Sequence, residues 1–463
     1  MMFKNILIFT LAIAGVTCSS QSPVRENKKS DTKKLTDDQL LDKVQRQTFR
    51  YFWDFAEPHS GMARERYHPD GNYPDRDANI VTTGGSGFGL MSIISATNRG
   101  YIKRKEAVER LNKIADFLTK ADRFHGAWSH WIDGETGKVK PFGTKDNGGD
   151  LVETSFLAQG FLVVREYFKN GTAEEKVLAE KYDKLWKGIE WNWYTKGGED
   201  VLYWHWSPNY AWDMNFKLEG YNECLITYVM AASSPTHTIS REAYDKGWAR
   251  NGKIISDKVA YGFPLILKHN GSENYGGPLF WAHYSYLGLD PNGLKDQYAD
   301  YQKLNYDHSM INYSYAVENP KAYKAYGKYF WGLTASYSRN EDGSTGYNAH
   351  MPGNDVGVVS PTAAISSIVY TPKESIAFIR NLYENYPDSW GLAGFYDALS
   401  PHYNWTVKWY LAIDQGPEVV MLENYRSGLI WKLFMNAPEI QQGLKKLGFT
   451  TSKYPQKGRK VVK

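Results

Sequence analysis

The sequence predicts an all-α fold of helical hairpins, six of which would make an (α/α)6 barrel if closed into a ring, with long aromatic loops over one end. Apolar residues recur at helical spacing in about a dozen stretches, and no stretch shows sustained strand alternation. The connections at 57–84, 121–150, 195–219, 262–296 and 335–360 are long and rich in aromatics and glycine. Inside a compact domain, loops of that length are usually functional.

The first helix opens at Thr36, where T-D-D-Q forms a capping box ahead of Leu41, Val44, Thr48 and Phe52. Further helices are predicted at 85–99, 103–120, 151–169, 173–194, 220–233, 240–250, 297–318, 373–386, 417–435 and 437–447. No shift in composition divides them, so one catalytic domain is expected from 36 to 452. The Gly84–Gly89 run lacks the preceding strand and following acid of a dinucleotide site and reads as a close-packed turn before a helix. The basic stretch 453–463 reads as a solvated tail.

Ahead of the domain, Lys4 precedes an apolar run from Ile6 to Ala14, too short to span a membrane. Small residues and Cys18 follow, so 1–18 reads as a lipoprotein-type export signal with Cys18 as the lipidated residue. An ordinary secretory signal is the rival reading. Residues 19–35 form a polar tether. The protein is expected as a monomer on the cell envelope, in the periplasm rather than on the outer surface. Cys224 is the only other cysteine, so with Cys18 lipidated no internal disulfide forms.

The chain carries 55 Lys and Arg against 51 Asp and Glu, with the basic residues gathered at its ends, which is no nucleic-acid footprint. Its 16 Trp and 34 Tyr exceed what packing alone needs. Trp and Tyr offer an apolar face with a polar handle, which suits a sugar-lined cleft.

The stretch Trp128–Phe161 combines aromatics, acids and a glycine pair before an apolar helix. Asp150 and Glu153 share one helix face, where both can reach one sugar. Alone, D-x-x-E favours a helix cap. Asp146, Gly148 and Gly149 shift the balance towards a site, because glycine lets backbone approach a ligand. Glu223, in E-G-Y-N-E-C-L-I-T-Y-V, stands among apolar residues that favour its protonated form, the form a leaving glycosidic oxygen needs. Glu219 competes for that role, and a structural acid at a helix start is the bland reading. Asp414, between Y-L-A-I and Q-G-P-E, is either a base or an N-cap.

The aromatic clusters holding His130 and Trp131, Trp204 with His205 and Trp206, Trp281 with His283, and His350 suit sugar subsites, and Tyr425 joins them as a candidate contact. With no H-E-x-x-H, no paired C-x-x-C and no complete calcium loop, neither metal nor cofactor is expected.

The motifs G-G-D-L-V-E-T-S-F-L-A-Q-G, L-Y-W-H-W-S-P, G-Y-N-E-C-L-I-T-Y, G-G-P-L-F-W-A-H-Y-S-Y-L-G-L-D, N-A-H-M-P-G-N-D and Y-L-A-I-D-Q-G-P-E together resemble glycoside hydrolase family 144, formerly annotated glucoamylase-like. The likeness covers nearly the whole mature chain. It implies an (α/α)6 barrel that cleaves β-1,2-glucan with inversion, with Asp150, Glu153 and Glu223 as important acids and Asp414 as a further cleft acid. Inversion separates acid from base by roughly 6.5–9.5 Å, too far for a pair on one helix turn. Glu223 is then the expected acid, Asp414 the leading base, and Asp150 with Glu153 the sugar- or water-positioning pair. Internal cutting is the expected mode, with exo release of sophorose as the alternative. A lipid-anchored glycan-binding protein is the alternative of another class, and it would not need an acid in an apolar pocket.

Overall fold

The computed structural model describes residues 34–454, and the predicted signal, Cys18 and nearly all of the tether lie outside them. From Asp37 to Tyr454 the chain forms one compact unit. Its helices, among the described residues, are α1 (Asp37–Trp53), α2 (Thr83–Arg99), α3 (Arg104–Lys120), α4 (Leu151–Phe168), α5 (Ala173–Lys187), α6 (Leu225–Ser233), α7 (Tyr301–Glu318), α8 (Pro361–Ser366), α9 (Pro372–Asn385), α10 (Ala412–Arg426), α11 (Leu429–Met435) and α12 (Pro438–Leu447). The fold is predominantly helical. No described helix is long and apolar enough to cross a membrane.

The helices divide by burial. α2, α4, α6, α8 and α10 are buried nearly all round, whereas α1, α3, α5, α9 and α12 bury one stripe each. A helix apolar on every side must be enclosed by others, so the first set is internal and the second covers it. α2 packs on α4 and α10, α4 on α5, and α6 on α12.

Glycine sets the tightest crossing. A Cβ on Gly87 of α2 would stand 2.2 Å from the Phe156 carbonyl of α4, and one on Gly160 of α4 would stand 2.7 Å from the Gly87 carbonyl. The Gly84–Gly89 run is therefore the first two turns of α2 and not a turn before it. Thr82 caps that helix by accepting the Gly85 N–H.

Several boundaries differ from expectation. The predicted helix 173–194 ends at Lys187 and resumes as a 3-10 segment, Trp191–Thr195. The predicted helix 240–250 is a π-type turn, Ala243–Trp248. The predicted helix 417–435 is two helices parted at Gly428, whose φ of 68° stops α10. α8 falls outside the predicted helices, because six residues are too few to display a period.

Two hairpins also lie in segments read without strands. Ile255–Ala260 pairs with Phe263–Leu267 across Tyr261-Gly262, whose φ values of 52° and 81° fit a type I′ turn. Ala335–Arg339 pairs with Thr345–Ala349. Neither has a clean alternation to read, since the Ile255 strand is exposed at most positions. At the other end, the expected free tail is tied down at its start: Lys453 and Tyr454 both bind Asp290, at 2.9 and 3.0 Å.

Candidate active site

A cavity of about 960 Å³ opens where the starts of α2, α4, α6 and α10 meet the loops before them. One wall is built around Asp150. It is the N-cap of α4, one oxygen accepting the Glu153 N–H at 2.9 Å. The other oxygen accepts from His130 Nδ1 and Trp204 Nε1, both at 3.1 Å. The cap and site readings of D-x-x-E are thus both true, carried by different oxygens.

The charges around this carboxylate are correlated. Burial alone would lower the His130 pKa, but Glu153, Asp150 and Asp146 together outweigh it and push it up to about 9. Burial likewise opposes ionisation of Asp150, and the His130 hydrogen bond and charge nevertheless hold it below its ordinary value. Asp146 is pushed up to about 7 by burial and by the Asp150 charge. Glu153 is raised by burial, against the pull of His130. One of its oxygens accepts the Gly84 N–H at 2.8 Å, an approach that leaves no room for a Cβ on Gly84.

Glu223 faces the cavity from the residues just before α6. Ser285 fixes that entry, donating to the Glu223 carbonyl and accepting the Ile226 N–H at 3.1 Å. Burial, then the charges of Glu153 and Asp150, pushes the Glu223 carboxyl up to about 7. Near neutrality it therefore still carries its proton in a substantial fraction of molecules.

Of the residues singled out from sequence, Glu153, Glu223, His130, Trp131 and Trp204 line the cavity. Asp150 supports them from behind with no exposed surface. His205 and Asp146 form a row behind it, with His205 Nε2 3.4 Å from Asp146 and 3.8 Å from Asp150. His130, Asp146 and Asp150 present ligand atoms within 4.8 Å of one another, a set that could hold a metal ion.

The structure corrects several other expectations. Trp206 packs on His125 and Trp193, and Trp281 on His269. His283 is buried against Ser367, His350 is fully buried, and Tyr425 is exposed near the end of α10. None of these five lines the cavity. Gly148 and Gly149 make room for protein, not ligand: a Cβ would stand 2.2 Å from the Trp206 carbonyl at one and 1.9 Å from the Tyr194 hydroxyl at the other.

Asp414 is the largest correction. It lies in the first turn of α10, whose cap is Leu411, is 1% exposed, and is absent from the cavity lining. Burial, then the neighbouring Asp397, raises its pKa well above the ordinary carboxyl value and so favours its protonated form, and neither of its carboxyl oxygens has a hydrogen-bond partner among the described residues. A base must be ionised and within reach of water. Asp414 is neither.

Another part of the lining went unread. Glu65, paired to Arg66, lines the cavity with His68, Tyr73, Tyr337 and Trp409. The His68 ring stacks on Trp409 at 4.0 Å, and its Nε2 lies 2.9 Å from the Tyr337 hydroxyl. The available signals were R-E-R-Y-H inside the long 57–84 loop and the aromatic run N-W-T-V-K-W-Y before the Asp414 motif.

Comparison with known proteins agrees with this architecture. Residues 215–438 match the family model Glycoamylase, described as "Putative glucoamylase". An exo beta-1,2-glucooligosaccharide sophorohydrolase (non-reducing end) of Parabacteroides distasonis is 46% identical over 435 residues, covering 89% of this chain. The chain spans 58% of the length of that relative. Among solved structures, the endo-beta-1,2-glucanase from Chitinophaga pinensis, in complex with sophorotriose and glucose, is 59% identical with a TM-score of 0.88. The match covers 91% of this chain and all of that one. A glucoamylase-type protein from Bacteroides fragilis is 57% identical, with a TM-score of 0.88 over 92% of this chain and all of its own. With whole solved relatives matched at this identity, the chain belongs to this glucoamylase-like family.

Proposed function

We propose that the protein is an inverting glycoside hydrolase of family 144 that cleaves β-1,2-linked glucan internally. The observation that carries this reading is Glu223, a buried carboxyl held up to about 7 where it lines a cavity of about 960 Å³. A binding protein has no need of such a group, because a retained proton serves bond cleavage and not sugar recognition. The names of the Chitinophaga and Parabacteroides relatives supply the linkage. The division into enclosed and one-faced helices supports a further proposal, that hairpins such as α2–α3 and α4–α5 close into an (α/α)6 barrel.

In this mechanism Glu223 gives its proton to the leaving glycosidic oxygen as the bond to the anomeric carbon breaks. A water attacks that carbon from the opposite face and loses its proton to a base. We assign the base to Glu153. It lines the cavity, one oxygen is bound by Gly84 and the other accepts no hydrogen bond from a described residue, and although burial raises its pKa, the His130 charge opposes that rise. Asp150 holds His130 and the start of α4 in place. Glu65, already engaged by Arg66, is left to bind sugar hydroxyls.

Incubation with linear β-1,2-glucan, followed by product chromatography and by NMR of the first anomer released, tests the reading. A ladder of oligosaccharides released as the α-anomer is expected. Sophorose alone would replace internal by exo cutting, the activity named for the 46% identical relative. Absence of product would leave the glycan-binding alternative. We also propose a monomer anchored to the cell envelope, facing the periplasm, through Cys18, which lies outside the described residues. Membrane fractionation and labelling with a radioactive fatty acid test that.

A further inference from the structure

Over the cavity stands the hairpin Ala335–Arg339/Thr345–Ala349, in which Tyr337 and Tyr347 are directly opposed. Opposed residues of an antiparallel pair project from one face, and here that face is the cavity side, with Ala335, Tyr337, Thr345 and Tyr347 all in the lining. The two tyrosines are nevertheless treated oppositely. Tyr337 is 7% exposed, bonded to His68 and packed edge-on against Trp409 at 5.4 Å.

Tyr347 is 56% exposed, although it reaches into the concave space near the carboxyls of Asp414, Asp397 and Glu65. Among the described residues its ring stacks on no other ring and its hydroxyl makes no hydrogen bond. Phe142, the other strongly exposed ring of the lining at 54%, is stacked on His130 at 4.3 Å. The hairpin that carries Tyr347 is held firmly at its base. Asp397 accepts the Tyr337 N–H at 2.7 Å, and the Thr334 carbonyl accepts the His350 N–H at 3.2 Å. A large ring kept bare on a fixed support inside the cavity lacks a partner for its face.

We propose that Tyr347 is the stacking platform of a sugar subsite and that a glucosyl ring of the substrate covers it. This rests on the glycoside hydrolase reading and adds to it a specificity element in the cavity that Glu153 and Glu223 also line. The ring's face supplies the contact and its hydroxyl is dispensable, so Phe substitutes for Tyr347 and Ala does not.

The test measures calorimetric binding of β-1,2-, β-1,3- and β-1,4-linked glucotrioses in a Glu223→Gln background, with Tyr347 intact, Tyr347→Phe or Tyr347→Ala. The expected result is binding of the β-1,2-trisaccharide, within about twofold for the Phe variant and weakened about tenfold or more for the Ala variant. The thermal midpoint should stay unchanged in both, because an exposed ring contributes little to folding. Ala binding as tightly as Tyr overturns the proposal, and so does a lost affinity accompanied by a lowered midpoint. Should only a β-1,3- or β-1,4-trisaccharide bind, the substrate reading falls and Tyr347 is judged on the sugar that binds. Should none bind, both fall.

Discussion

Asp150 holds the amide of Glu153 at 2.9 Å with one carboxylate oxygen while the other takes the ring proton of His130. The residue that starts α4 is therefore also the one that orders the charges beside the cavity. Capping fixes where Glu153 points, and the His130 bond fixes which groups are ionised. A cap and a site that share one side chain can be separated by mutation, because Asn caps nearly as well as Asp but carries no charge.

Asp150→Asn should accordingly keep the fold within about 1 kcal/mol, whereas Asp150→Ala should cost about 1–3 kcal/mol through the lost cap and the unpaired donors of His130 and Trp204. Both should lower turnover at least tenfold. In the Asn variant the His130 ring should titrate clearly below about 9, as followed by NMR. Equal unfolding free energies for the two variants would remove the capping role.

Glu223→Gln should lower kcat by about 10² to 10⁴, the range expected for loss of a general acid, with glucan binding retained. Near-normal hydrolysis by this variant would transfer the proton donor elsewhere. In the unmodified enzyme the acid is active only while protonated, so kcat/KM should fall as pH rises through about 7, the value to which burial pushes Glu223. A plateau reaching pH 9 would contradict that assignment.

The inner core was legible where a helix was long and its apolar face continuous, as in α2, α3 and α4, and illegible where tertiary contacts alone supply the structure. Six residues of α8 cannot display a period, and the hairpin carrying Tyr347 has no stripe because its first strand is buried on both faces. In the site, Glu223 was readable because local apolar sequence already implies a retained proton. Glu65, His68, Tyr337 and Trp409 were not, since each gains its meaning only when distant loops meet. Asp414 misled for the same reason. Its motif resembles both a cap and a base, and only Asp397, 17 positions earlier in the chain, turns it into a buried acid pair.

Gly87→Ala offers a test of the helix crossing by sign. In an exposed helix interior, replacing Gly with Ala stabilises by up to about 1 kcal/mol. Here the new methyl would meet the backbone of Phe156 and Leu157 at 2.2–2.5 Å, so a loss of about 1–3 kcal/mol is expected. Urea unfolding decides between the two signs.

Asp414→Asn tests the proposed division between a structural acid and the catalytic ones. The carboxyls of Asp414, Glu418 and Asp397 are all raised by burial, the last to about 6. A carboxyl whose pKa is higher in the folded than in the unfolded chain contributes stability at acid pH that is lost as pH rises towards the folded value. The enzyme should therefore lose unfolding free energy between pH 5 and pH 8. An Asn at 414 cannot ionise, so the variant should lose less and exceed the parent by about 1–2 kcal/mol at pH 8. Because Asp414 stays protonated and does not line the cavity, hydrolysis should remain within about tenfold of the parent. A fall matching that of Glu223→Gln, with stability preserved, would return the base to Asp414 and remove it from Glu153.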